Sequence, residues 1–422
     1  MSKLYAGAGK AEIFLPKAFA PNREGFTKLL DPLQVRVILF RADVTAAIVS
    51  LELTSLMDSD ALKERVGVIT GAEHIWITVS HTFSAPHIMA SQGGPQKGPG
   101  SPPPMSSEEQ AESAQQTEAL LAAVEQAAKQ AVETMGEVVM YGACGSSTVN
   151  TGRDVETYEG WWLGEGSTAY ADHALPVVYL ETPDGTPIAA LYNFPVQSSV
   201  LDHAVMEDGG FVVSGDLAGR ASAYVETKYP VALFLCGAAG DQAPRQKAST
   251  NLLQADGSLL PVERKEVGIS IKNALGDELG AAVLAARKEA DSLAADVHIA
   301  AVNRIFSVPA KVMPDRREMA ARRLPNYQEN GTTQSNVEVL RIGQLALVGV
   351  KPELSASIGA AIRKDSPFAL TMVATMVNGG AKYMADREGF ARITYAAQNS
   401  PFGCGAAELL GEQALSALHE LL

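Results

Sequence analysis

The stretch IWITVSHTFSAPH, from Ile75 to His87, constrains the fold more than any other part of this chain. Ile75, Trp76, Ile77 and Val79 are β-branched or aromatic, and the run is too short for a helix, so it predicts a buried strand. The run stops at Ser80, His81, Thr82, Ser84, Pro86 and His87, all polar or turn-forming. A strand that delivers two imidazoles and several hydroxyls to its exit can plant a reactive site on a rigid element. Two histidines alone serve equally well as loop hydrogen-bonders, so the weight of this reading depends on what else shares the exit. The following segment, Ser91 to Pro104 (SQGGPQKGPGSPPP), is too rich in glycine and proline for helix or sheet and predicts a loop beside it.

Other strands are predicted at 4–14, Val35–Phe40, Ala46–Leu51, Glu137–Tyr141, Val231–Cys236 and Val337–Val350, the last broken by an Ile342–Gly343–Gln344 turn. Val177–Leu180 and Ile188–Phe194, joined through Asp184–Gly185, read as a hairpin. Helices are predicted at Ser59–Val66, from Ser106 to Met135 behind a capping-box-like start, at Lys265–Asp291 and at Ala406–Leu422. Asn150 to Tyr170 reads as an aromatic and glycine-rich loop in which Trp161 and Trp162 form either a binding wall or a packing pair. Strands and helices interleave, yet most strands are joined by tight turns. The expectation is therefore an α/β fold with mixed β-sheets flanked by helices, in a single domain over residues 1–422.

Composition bears on partners. A formal net charge of −14 argues against nucleic acid or an anionic membrane as the main partner and leaves a small molecule as the expected one. The three cysteines, Cys144, Cys236 and Cys404, form neither a disulfide framework nor a thiolate metal motif. With no apolar leader and no apolar run of about 18 residues, a cytoplasmic setting is expected. Whether the chain forms a homo-oligomer is open.

The motifs of phosphate-binding loops, of the HExxH metalloproteases and of serine-nucleophile elbows are missing. What recurs instead is a polar residue just past the end of a predicted strand. His81 and His87 follow the first, Asp241 follows VALFLC, Glu353 follows LALVGVKP, and Asp216 and His203 lie in nearby loops. Tyr383 and Tyr395 bracket NGGAKYMADREGFARITY. Each alone has an ordinary explanation as a cap or a packing residue; together they look like catalytic loops that converge.

The order of these blocks resembles the catalytic domain of the neutral (alkaline, non-lysosomal) ceramidase family. AGAGKAEI is similar to that family's opening, ITVSHTFSAPH to its THTHSGP segment, NTGRD to its NRSP-like stretch, and NFPVQSSVL to its FAxHPxSM pattern. VVSGDLAGRASAYVE, LFLCGAAGDQAPR, IGQLALVGVKPEL and NGGAKYMADREGF…YAAQNSPFG follow in the family's order. The resemblance implies a zinc-dependent amidohydrolase in which His81, Glu353 and Tyr383 hold the ion and Arg153 and Asp241 stand around the substrate carbonyl. Nitrogen and oxygen donors suit zinc, which lowers the pKa of bound water.

The departures are specific. Gln197 falls where the family has its second ligand histidine, Phe83 replaces a histidine of THTH, and Ala243 replaces a serine. Either His203 or His87 replaces the missing imidazole, or the metal is weakly held, different or gone. The resemblance covers neither a secretion signal nor the C-terminal β-sandwich domain of secreted ceramidases. The expected activity is hydrolysis of an amide or lactam bond in a small soluble substrate. His87, Gln197, Trp161 and Trp162 would contact that substrate, and the Ser91–Pro104 loop would close over it. The rival readings are a metal-free acid–base enzyme (a cyclase or isomerase) and a non-catalytic binding protein.

Overall fold

The computed structural model describes residues 3–15, 24–56, 58–88, 105–293 and 297–422. The expected Ser91–Pro104 loop lies outside the described residues. Among the described residues most strands fall into three mixed sheets, and the same plan builds each.

In the first sheet, Tyr5–Glu12 pairs antiparallel with Gln34–Arg41, which forms the expected hairpin with Thr45–Leu51. The chain then crosses through the helix Asp60–Thr70 and returns as His74–Val79, parallel to Thr45–Leu51. The second sheet repeats this order with Val139–Ser146, the hairpin Ala174–Glu181/Pro187–Phe194, the helix Asp216–Val225 and the parallel strand Val231–Cys236. The third repeats it with Ile299–Val312, the hairpin Gln328–Ile342/Leu345–Val350, the helix Ala356–Asp365 and the parallel strand Leu370–Ala374. Parallel neighbours need a crossover long enough to carry a helix, which is why one stands at this point in each unit. A second helix ends each unit: Ser107–Glu133, Val267–Ala286 and Ala406–Glu420.

Alternation along a strand sends successive side chains to opposite faces. From the first sheet, Ile38, Phe40 and Ile48 meet Leu180, Leu191 and Leu233 of the second and Leu340, Leu345 and Met372 of the third in one shared core. The other face, with Val35, Val37 and Leu39, packs on helical residues such as Leu120 and Val124. Burial on both faces explains why VRVILF and AAIVSL are continuously apolar.

Three buried polar side chains staple the sheets edge to edge. Ser50 Oγ donates to Phe234 O at 2.8 Å, tying the first sheet to the second. Asn193 Nδ2 donates to Leu235 O and to Val373 O, both at 3.0 Å, and Asn193 Oδ1 accepts from Val373 N at 3.2 Å, tying the second sheet to the third. Asn378 Oδ1 accepts from Ile77 N at 2.9 Å, and Asn378 N donates to Ile77 O at 2.8 Å, which closes the circle. The three parallel pairs are thus held side by side, with their C-terminal ends together. In open sheets ligands bind outside those ends.

Several expectations need adjustment. The region Asn150 to Tyr170 carries three short strands, Asn150–Gly152, Asp154–Glu156 and Trp161–Leu163. The strand expected from Val337 begins at Gln328, because its first residues are polar and stand out in solvent beside Ile299–Val312. A hairpin outside the predicted strands, Ser249–Leu253 with Leu259–Glu263, turns at Asp256–Gly257 and stands beside the strand ends. The helix start at Ser106 is as expected: Ser106 Oγ accepts from Glu109 N while the Glu109 carboxylate accepts from Ser106 N.

Candidate active site

Each parallel pair sends polar groups past its C-terminal end, and they meet. From the first pair come the Thr54 carbonyl and His81. Both His81 ring nitrogens face acceptors: Nδ1 lies 2.6 Å from Thr54 O, and Nε2 lies 3.1 Å from Glu353 Oε2. His81 is buried and has a positive φ of 58°. A β-carbon makes that conformation costly, and such strain persists where the surroundings over-determine it, as at functional sites. From the third pair come Glu353 and Tyr383, neighbours in a short parallel ladder, Glu353–Leu354 with Tyr383–Met384.

The second pair supplies Gln197, whose Nε2 donates to Glu353 Oε2 at 2.7 Å. Gln197 Oε1 accepts from Arg153 Nη1 at 2.9 Å, and Arg153 Nη2 donates to Gly240 O at 2.6 Å. The amide orientation follows from the network, because a swap would set oxygen against carboxylate and NH2 against guanidinium. Gly240 must be glycine here: a Cβ would stand 2.6 Å from Glu353 O. The result is one hydrogen-bonded line, Arg153–Gln197–Glu353–His81–Thr54, drawn from all three sheets.

Charges within this line are mutually adjusted. Burial opposes the charge on His81, but the Glu353 carboxylate outweighs it and raises the imidazole above its ordinary value. Burial also opposes ionisation of Glu353; His81, Arg153 and Gln197 together hold its carboxyl below the usual range. Burial holds the Tyr383 phenol well above its ordinary value, with Glu353 adding to the effect, so the hydroxyl stays protonated. The Arg153 guanidinium carbon lies 4.9 Å from the Tyr383 ring centre and 5.6 Å from that of Tyr395. Arg153 Nε is buried without a partner.

Arg153, Gln197, Tyr383, Tyr395 and Phe83 open into a cleft of about 330 Å³, at the small end of ligand-site volumes. The Ser249–Leu253/Leu259–Glu263 hairpin forms its far wall. A neighbouring cleft of about 290 Å³ shares Phe83, Asp202, His203 and Arg316 with it.

The remaining expected residues fall further out. Asp241 Oδ1 accepts from Ala356 N at 2.9 Å and from Gln242 Nε2 at 3.1 Å. Its carboxylate therefore serves the start of the Ala356–Asp365 helix, with burial raising its pKa to about 6, while its backbone carbonyl receives Arg153 N. His203 stands on the cleft rim, 80% exposed, with Nε2 at 3.6 Å from Asp202 Oδ1. His87 turns to Glu24 at 2.6 Å and lines the neighbouring cleft. Neither histidine supplies the missing imidazole, because both lie on exposed turns that face solvent. Trp162 packs edge-on against Tyr395 (5.6 Å between ring centres), and Trp161 lies under Arg392 at 4.1 Å. Trp162 thus braces Tyr395, and Trp161 packs on Arg392 instead. Tyr395, Phe83, Lys247 and Arg316 are cleft residues beyond the expected set; Tyr395 carried a signal as the far bracket of its loop and Phe83 as the replacement of a motif histidine, and the two cations carried none.

The residues present do not fit the zinc ion that the resemblance implies. Gln197 turns an N–H, not a lone pair, toward Glu353, and it is backed by a guanidinium. His81 Nε2, the ring nitrogen turned away from the Thr54 carbonyl, is already taken up by Glu353 Oε2 at 3.1 Å. Among the described residues no group of three or more His, Cys, Asp or Glu is placed to hold a metal ion.

Asp154, beside Arg153, is buried with Oδ1 unpartnered, and burial raises its pKa to about 7 against the pull of Arg153. A carboxyl raised on folding binds its proton more tightly in the native state, so its contribution falls as pH climbs from the ordinary 3.8 to about 7. Asp154→Asn should therefore stabilise the chain at pH 8, raising Tm by about 2 °C or more, and should have less effect at pH 5, as measured by thermal melts at both values.

The fold that these strands define is that of the neutral ceramidases. A structure titled "Ceramidase complexed with C2" superposes with a TM-score of 0.73 at 13% identity, covering all of this chain and 75% of that one. The neutral ceramidase of Pseudomonas aeruginosa superposes with a TM-score of 0.69 at 14% identity, with the same coverage. No family model matches the chain, and no curated protein matches its sequence. Among the described residues no helix is long and apolar enough to cross a membrane.

Proposed function

We propose that this chain is an enzyme that hydrolyses a carbon–nitrogen amide or lactam bond in a small soluble substrate. The observation that carries the reading is Arg153, a buried cation whose two hydrogen bonds end on neutral oxygens and which borders the cleft beside Tyr383. A carbonyl set against this pair has its developing oxyanion stabilised by a fixed charge in a site of low dielectric. Glu353, held ionised, receives both of its side-chain bonds on Oε2, which leaves Oε1 for water. In the reaction a water proton passes to Glu353 as the water oxygen attacks the carbonyl carbon. The C–N bond then breaks as the protonated Glu353 passes that proton to the departing nitrogen, which returns the carboxylate to its starting state, while the Tyr383 hydroxyl donates a hydrogen bond to the oxyanion. The ceramidase-like fold supports amide chemistry as the class.

The test is release of primary amine from a panel of acylated amines and lactams, run with metal added and withheld on protein purified without chelator, alongside elemental analysis. Turnover by metal-free protein is the expected result. A stoichiometric metal lost together with activity would restore the zinc-dependent reading. Tyr383→Phe should lower kcat about 10²-fold on whichever substrate is found. A ligand that binds tightly and is never converted would favour a binding protein.

A further inference from the structure

We infer that the substrate is an anion, an amide that carries a carboxylate beyond its scissile bond, with Arg316 as the group that receives it. The inference rests on the reading that the cleft takes a small amide. The wall carries three cationic side chains, Arg153, Lys247 and Arg316, against two carboxylates, Asp202 and Glu263, in a chain whose net charge is −14. A positive cleft in a negative protein draws anions locally while the surface around it repels them.

The distribution of partners sharpens the point. Lys247 meets Asp202 at 3.0 Å, so those two charges offset each other, while Glu263 accepts from Ser249 Oγ at 2.6 Å. Arg153 hydrogen-bonds to the neutral oxygens of Gln197 and Gly240 and has a buried Nε without a partner, while the Asp154 and Glu353 carboxylates lie close enough to share its charge. Arg316 is exposed where the two clefts join, and among the described residues it has no carboxylate partner. Arg153 therefore stands at the floor of the cleft, and Arg316 stands at its mouth with its charge unpaired. The floor receives the carbonyl. The mouth is set to receive a second, fully charged oxygen group, for which a guanidinium is the best-shaped donor. Across from it the hairpin presents Ser249, Thr250 and Asn251, polar groups suited to a polar ligand rather than a long acyl chain.

Isothermal titration of the full chain with N-acetyl amino acids and with matched neutral N-acetyl alkylamines tests this without requiring turnover. The carboxylate members should bind at least about tenfold more tightly, and Arg316→Gln should bring them to the neutral level. Raising salt from about 50 mM to about 500 mM should weaken the carboxylate members selectively. Equal binding of charged and neutral members, no binding by any carboxylate member, or an Arg316→Gln variant that keeps the preference would overturn the inference. Amine release measured on the same panel keeps the two readings apart. Selective binding without turnover leaves the anion site standing and removes the hydrolase. Turnover with no preference for charge does the reverse.

Discussion

Replacing Arg153 by methionine should lower kcat about 10³-fold, the size of effect seen when a fixed donor to a developing oxyanion is lost. Methionine fills a similar volume but ends the bonds to Gln197 Oε1 at 2.9 Å and Gly240 O at 2.6 Å, and it removes the charge beside Tyr383. Gln197 then loses what orients its amide, so the Glu353 carboxylate is less firmly placed as well. Arg153 also lowers the pKa of buried Asp154, so the single variant risks a fold defect unrelated to chemistry. The double variant Arg153→Met/Asp154→Asn removes both charges together and should show the same loss of turnover with a near-native melt. Arg153→Lys should recover only part of the rate, because an ammonium cannot span both acceptors. Full activity in the double variant would remove Arg153 from the mechanism.

The largest loss of stability should come from Asn193→Ala, at about 3–5 kcal/mol, read from the shift in denaturant midpoint at unchanged slope. Asn193 is buried and makes three bonds across the seam between the second and third sheets. Truncation leaves the carbonyls of Leu235 and Val373 and the N–H of Val373 short of partners in a dry interior, each at a cost of about 1–3 kcal/mol. The same seam sets Gln197, four residues on, against Glu353 at 2.7 Å. Turnover should therefore fall along with stability. Asn193→Asp, which keeps the shape but offers no N–H, should be nearly as damaging.

Much of this arrangement was legible in the residues because apolar runs that stop abruptly mark strand ends. The hairpins through residues 41–45, 181–187 and 342–345 were readable from β-branched runs and turn residues, and Gly185 and Gly343 have the positive φ that their turns require. His81, Gln197, Glu353, Arg153 and Tyr383 were each picked out from strand ends or motif order, and they do meet. Which way a side chain turns was not readable. Asp241 follows its strand as predicted, yet it caps a helix, because Ala356 N offers it a donor. His203, at φ 56°, points out along an exposed turn. The threefold repetition of the sheet unit was hidden because it lies in strand order and handedness, which different apolar residues satisfy equally well. The hairpin at 249–263 was missed because its strands are half polar and lie against a cleft rather than in a core.

In the proposed reaction the line from Arg153 to His81 drives water onto a carbonyl. Turnover of a substrate from the amide panel in water enriched in ¹⁸O, followed by mass spectrometry of the acid product, tests it most directly. One ¹⁸O atom should enter each new carboxyl group, with the label lost in step with activity in Glu353→Gln. An unlabelled product, or a Glu353→Gln variant that labels it at the native rate, would rule out this route.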